Sequence, residues 1–151
     1  LESNQFLKQT NKIGDDYMKM SKIVGLLPFM EDEEIKELAY KILNDEVQGM
    51  KIVVLYPFLD KEDLEDIVKV CIEKQKKTEI YSALPFLSKK ALHEIYQSVR
   101  EGKLEGFKEQ VFYPFLGKDE VKKVYKDLIK EAMEKGVEQD EEVYVYEDDE
   151  E

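Results

Sequence analysis

The sequence predicts an all-α fold: four tandem helical hairpins of 28 or 29 residues stacked as a small solenoid, with an N-terminal capping helix and an acidic C-terminal tail. Three observations predict it. All four prolines stand in one setting, Leu27-Pro28-Phe29-Met30, Tyr56-Pro57-Phe58-Leu59, Leu84-Pro85-Phe86-Leu87 and Tyr113-Pro114-Phe115-Leu116, at spacings of 29, 28 and 29. Such a fixed period marks an internal repeat. Aligned on the proline, apolar residues recur 7, 10, 11 and 14 positions later, and offsets of three, four and seven draw the stripe of an amphipathic helix. Finally, 151 residues that are 42% hydrophobic and 38% charged suit one globular domain with its own core.

Residues 1–19, with Phe6, Leu7, Ile13, Tyr17 and Met18, read as the capping helix, broken near Gly14. The repeats follow at about 20–48, 49–77, 78–106 and 107–136, and together form the repeat domain 20–136. Each opens with a short apolar stretch: Ile23 to Leu27, Ile52 to Tyr56, Ile80 to Leu84 and Val111 to Tyr113. Proline disfavours helical backbone in the residue before it, so each stretch is expected to stop there and turn. Ile52-Val53-Val54-Leu55-Tyr56 alone would also suit a strand. Gly25-Leu26-Leu27 and Ser82-Ala83-Leu84 in the matching places are poor strand formers, so a short helix is expected in every copy.

The longer helix comes next. Its stripe is Ile35, Leu64, Leu92 and Val121 at position seven, Leu38, Ile67, Ile95 and Val124 at ten, Ala39, Val68, Tyr96 and Tyr125 at eleven, and Ile42, Cys71, Val99 and Leu128 at fourteen. Three residues past the prolines stand Glu31, Asp60, Ser88 and Gly117, of which the last three are favoured N-caps. Asp63 and Glu120 add first-turn acids that suit the helix dipole. Phe29, Phe58, Phe86 and Phe115 are expected in the core, plugging between successive hairpins. Gly102 and Gly106 mark the longest connection. One hairpin cannot cover its own apolar face, and stacking the copies does so.

Net charge is −12, but the last fifteen residues, 137–151, carry nine acids and no base. Residues 1–136 are close to balanced, apart from Glu31-Asp32-Glu33-Glu34. Binding to nucleic acid rests on Lys and Arg, and this chain has a single arginine, Arg100. No nucleic-acid partner is expected. Lys74-Gln75-Lys76-Lys77, Lys89-Lys90 and Lys122-Lys123 read as solvated lysines, or, if aligned, as a patch for an acidic partner or for the tail. No apolar run approaches the ~18 residues that a membrane helix needs, and no secretory leader is visible at Leu1. The expected location is cytoplasmic.

The chemistry of sites is thinly represented. One cysteine excludes an internal disulfide, and one Cys with one His falls short of a zinc set. His93-Glu94-Ile95-Tyr96-Gln97 approaches the zinc-peptidase pattern, with Gln97 where the second His would stand. Cys71 lies on the apolar stripe and reads as a small core residue. Paired carboxylates crowd exposed first turns, which suits dipole complementation and solubility. No phosphate cradle or calcium loop occurs. Catalytic residues, metals, cofactors and small-molecule substrates are therefore all absent from the expectation.

Tyrosine is the remaining signal. Tyr56 and Tyr113 precede their prolines, and Tyr96 and Tyr125 share a helix position. The amphipathic ring suits interfaces, so these four are candidate partner-binding residues; filling core edges with the hydroxyl in water is the alternative. Tyr144 and Tyr146 join them, because Val143-Tyr144-Val145-Tyr146 ahead of an acidic end could add as a strand to a partner's sheet edge. The plainer reading of 137–151 is a solvated tail.

Leu-Pro-Phe-Leu, an acidic helix start and Leu-x-x-Leu over about residues 20–135 resemble short helical-hairpin repeats of uncharacterised bacterial proteins. The likeness to HEAT and tetratricopeptide arrays is looser, since the period here is shorter and their diagnostic residues are missing. The resemblance implies a scaffold or adaptor and transfers no site residue. The expected function is non-enzymatic binding of a protein or peptide. The alternative is a regulatory or sensor module of a larger bacterial protein, which expects a reading frame extending upstream of Leu1; an enzyme is the third reading.

Overall fold

Proline lacks a backbone donor and fixes φ, so it is best tolerated in the first turn of a helix, where that donor would have no partner. The computed structural model describes residues 18–139. In it, Pro28, Pro57, Pro85 and Pro114 lie in 3-10 segments Leu27–Phe29, Ile52–Phe58, Leu84–Phe86 and Tyr113–Phe115. Three copies use this allowance, with Pro28, Pro85 and Pro114 second in their segments, whereas Pro57 lies inside its own. The α-helices are α1 (Met20–Val24), α2 (Asp32–Leu43), α3 (Lys61–Glu73), α4 (Lys77–Ala83), α5 (Lys89–Arg100) and α6 (Lys118–Lys135), with one further 3-10 turn at Glu109–Val111. Among the described residues the fold is all-helical, without strands. The expected capping helix and acidic tail lie almost wholly outside the described residues.

The short elements are helical as expected, including Ile52–Phe58, but they do not stop at the proline. Leu84 keeps helical backbone (φ −54°, ψ −41°) directly before Pro85. The chain becomes extended two residues past the proline, at Met30, Leu59 and Leu87 (ψ 157°, 142° and 153°). A 3-10 turn explains the shift, because its closing bond skips the proline nitrogen. The Met30 N–H donates to the Leu27 carbonyl at 3.1 Å, and Leu87 N–H to Leu84 at 3.4 Å.

Each long helix then starts one residue later on a cap. Asp60 Oδ1 accepts the Asp63 N–H at 2.8 Å and Ser88 Oγ accepts the Ala91 N–H at 3.2 Å. Glu31 also caps its helix, its own N–H donating to Glu34 Oε1 at 3.1 Å. The far ends are alike too. After α2, α3 and α5 the chain enters left-handed backbone at Asp45 (φ 62°), Gln75 (φ 57°) and Gly102 (φ 77°). The bonds Glu46 N–H to Lys41 O, Lys76 to Cys71 and Lys103 to Ser98, at 2.8–2.9 Å, close three Schellman ends. Only the third has the glycine that makes this conformation inexpensive.

The described residues divide after Phe115 into two compact units, α1 through Phe115 and α6 from Leu116 onward. In the first unit, α2 packs on Ile52–Phe58 and on α3, and α3 packs on α4. Ile35, Ala39 and Ile42 of α2, Leu64, Ile67, Val68 and Cys71 of α3, and Leu92, Ile95 and Tyr96 of α5 are buried, as the stripe requires. The second unit departs from this pattern: Val124 is buried, but Val121, Tyr125 and Leu128 are exposed.

The phenylalanines are a correction. Phe29 is 83% exposed, Phe86 and Phe115 are also exposed, and Phe58 is half-buried. The core places around each turn are taken by the residues before the proline, with Leu27, Leu55, Tyr56, Ala83, Leu84 and Phe112 all buried. The Phe rings are left at the outer corner; Phe86 lies against Tyr56 with centroids 6.2 Å apart. Leu84→Ala therefore costs about 2–5 kcal/mol in urea unfolding, while Phe29→Ala stays within ~0.5 kcal/mol. The reverse order would restore the plug.

Candidate functional site

Two turns of helix place residues i, i+3, i+4 and i+7 on one face. On α3 these are Glu65, Val68, Lys69 and Ile72; facing them on α5 are Lys90, Ala91, Glu94, Ile95 and Ser98. Between the helices lies a groove of about 430 Å³, lined also by Leu87 and Leu104. Its floor is apolar and its rim carries two acids and two lysines. Ser88 Oγ donates to Glu65 Oε2 at 2.8 Å, tying the cap of α5 to the rim. Ile72 and Leu104 also line a wider, more polar hollow of about 760 Å³ bounded by the Gly102–Gly106 connection. There Lys77 Nζ donates to the Gly106 carbonyl at 2.9 Å.

Composition explains the groove. Ala91 and Ser98 stand 6 and 13 residues past Pro85, where the other copies have Glu34, Asp63 and Glu120, and Lys41, Val70 and Asp127. Small side chains at two of α5's inner positions leave the space. That departure from the repeat was the available signal, and reading only the stripe missed it.

The tyrosines do not form one surface row. Tyr56 and Tyr96 are buried, Tyr113 is half-buried, and Tyr125 is 64% exposed; Tyr144 and Tyr146 lie outside the described residues. Neither hydroxyl of the buried pair is left in water. Tyr56 Oη donates to the Glu79 carbonyl at 2.8 Å. Tyr96 Oη donates to Glu109 Oε2 at 2.7 Å, and Tyr113 Oη reaches the same oxygen at 3.1 Å. Arg100 Nε stands 3.6 Å from it. Around this carboxylate, Tyr96, Phe112 and Tyr113 form ring contacts with centroids 5.8–6.4 Å apart, and Phe112 also meets Tyr81 at 6.3 Å.

Among the described residues of the first unit, this is the place where phenols, an arginine and a carboxylate converge, so its protonation bears on chemistry. Burial, and then Glu109, push the Tyr113 phenol up to about 12; burial and the Glu109 hydrogen bond likewise raise Tyr96. Phenols held this way keep their protons at neutral pH and serve as donors that lock Glu109 onto α5. Cys71, buried among core residues, is pushed up to about 11 by the same desolvation, so it is not a ready thiolate. His93 and Glu94 are exposed on α5. Among the described residues, no three His, Cys, Asp or Glu side chains gather as a metal site. No helix there is long and apolar enough to cross a membrane.

Compared with family models, curated proteins and solved structures, the chain matches none.

The raised groups set an alkaline limit. A thiol or phenol with a higher pKa in the fold than in the unfolded chain stabilises the protein fully below its ordinary value and loses that contribution as pH rises toward the folded value. For Cys71 the interval runs from 9.0 to about 11 and for Tyr113 from 10.0 to about 12. The urea midpoint is therefore flat from about pH 7 to 8 and falls from about pH 9 upward, with a later onset in Cys71→Ala. A midpoint unchanged up to about pH 11 would contradict this burial.

Proposed function

We propose that this chain is a protein- or peptide-binding scaffold, built from four hairpins stacked as a small solenoid, whose groove between α3 and α5 receives an apolar stretch of its partner. The observation that carries the reading is the groove itself: an apolar floor, opened by Ala91 and Ser98, inside a rim of Glu65, Lys69, Lys90 and Glu94. Such a surface suits an amphipathic helix presenting anchors at i, i+3 and i+4. The mixed rim would fix its direction and register more than its affinity.

Stacking is supported by polar ties between residues about one period apart. Lys77 and Gly106 are each eight residues before their prolines and bond to one another. Lys36 of α2 reaches Asp63 at 3.1 Å and Asp66 at 3.2 Å on α3. Contacts about one period apart in the chain are what nearest-neighbour stacking produces. The Glu109 cluster, with its phenols held protonated, supports a structural role there in preference to catalysis.

Peptides selected from a random library on the full chain test the proposal. Enriched sequences are expected to carry two or more apolar anchors at helical spacing, and to lose at least about tenfold in affinity toward Ala91→Arg, a steric block on an interface anchor pocket, with its melting temperature unchanged. Selection of no peptides, or binding indifferent to Ala91→Arg, would overturn it.

A further inference from the structure

Two sets of positions that are buried in the interior copies are exposed at the outer copies. Two residues before the proline, Leu55, Ala83 and Phe112 are buried, yet Leu26 is 58% exposed. At positions seven and eleven past the proline, Ile35, Leu64 and Leu92, and Ala39, Val68 and Tyr96, are buried, whereas Val121 and Tyr125 are exposed. Among the described residues, the first copy has no copy before it and α6 has none after it. Each face is the kind that the other face covers elsewhere. The stripe of α2 packs on Ile52–Phe58, the segment that contains Leu55, and Leu26 is the equivalent of Leu55.

Charge sets the register. Lys36, eight residues past its proline, pairs with Asp63 and Asp66, six and nine past the next. On α6 the eighth position is Lys122, and in the first copy the sixth and ninth are Glu34 and Glu37. Stacking α6 before a first copy would thus recreate a lysine facing two carboxylates. The junctions after the second and third copies do not offer that set, since their eighth positions are Glu65 and His93. Glu34 and Glu37, the latter paired with Lys41 at 3.4 Å, also border a hollow of about 280 Å³ on the first copy, lined in addition by Ile23, Leu26 and Met30. A side chain of the size of Tyr125 or Leu128 fits such a space.

We infer that copies of this chain associate head to tail, the exposed stripe of α6 seating on the Leu26 face of the next copy with Lys122 between Glu34 and Glu37. The inference rests on the stacked-repeat reading and not on the α3/α5 groove. Because the two surfaces differ, the contact is heterologous, and a pair joined through one junction keeps a face of each kind for further copies. A net charge of −12 per chain opposes association at low salt, so physiological salt is the condition to use.

Sedimentation equilibrium of the full chain over a concentration series reads the outcome. The average mass is expected to rise with concentration past that of a dimer. Leu26→Lys and Tyr125→Lys each weaken association at least about tenfold by placing a charge in an apolar contact. Their equal mixture forms a one-to-one dimer and stops, since only one junction remains intact. Lys122→Glu and Glu37→Lys each weaken assembly about fivefold, and mixing them restores it by swapping the pair. Ala91→Arg leaves assembly unchanged, which separates this result from failure of the groove. A chain that stays monomeric throughout overturns the inference. So does a Leu26→Lys variant that melts earlier with no change in mass, because then the chain's own residues 1–17 cover that face. A closed dimer that the mixed variants cannot form also overturns it.

Discussion

A helix of about three turns with one apolar stripe is marginal in water until something covers that stripe. Everything else in this molecule depends on that constraint. A unit of 28 or 29 residues holds one such helix and a short segment ahead of it, too little to wrap its own stripe. The cover for α2 comes from Ile52–Phe58 and that for α3 from α4, each belonging to the next copy. Proline makes the exchange possible. At Pro28 and Pro85 it sits where its missing donor costs little, and the extended residues after the prolines, Met30, Leu59 and Leu87, reset the chain for a capped helix start.

Polar ties are what differ from junction to junction. Lys36 with Asp63 and Asp66 joins the first two copies, Ser88 with Glu65 the next. Further along, Glu109 collects Tyr96 and Tyr113. Partly exposed pairs of this kind add little stability singly, so the apolar stripe supplies the energy and the ties supply the register. Small residues at one junction, Ala91 and Ser98, trade packing for a groove. The proposed binding groove lies where the repeat is imperfect.

Much of this architecture is legible in the residues. The proline period, the stripe offsets and the caps at Asp60 and Ser88 are local features, and local features survive into the fold. The less legible parts depend on neighbours. Glu31 is a poor N-cap by type, but Glu34 three residues on completes a capping box. Asp45 and Gln75 gave no hint of left-handed backbone, because the helix-closing bonds of Glu46 and Lys76 impose it. Phe29 and Phe86 read as core by hydrophobicity alone; the residues before the proline had already filled those places. Tyr56 and Tyr96 read as wet because their partners, the Glu79 carbonyl and Glu109, lie 23 and 13 residues away. Distance along the chain hides such bonds from any reading of periodicity.

Hydrogen exchange on the dilute full chain tests most directly whether each helix depends on the copy that comes after it. Protection should peak in α3 and α4, which have neighbours on both sides, and fall in α1 and α6, whose amides should exchange about a hundredfold faster or more. Uniform protection, with α6 as slow as α3, would contradict that dependence, because it would require a covered stripe at Val121, Tyr125 and Leu128.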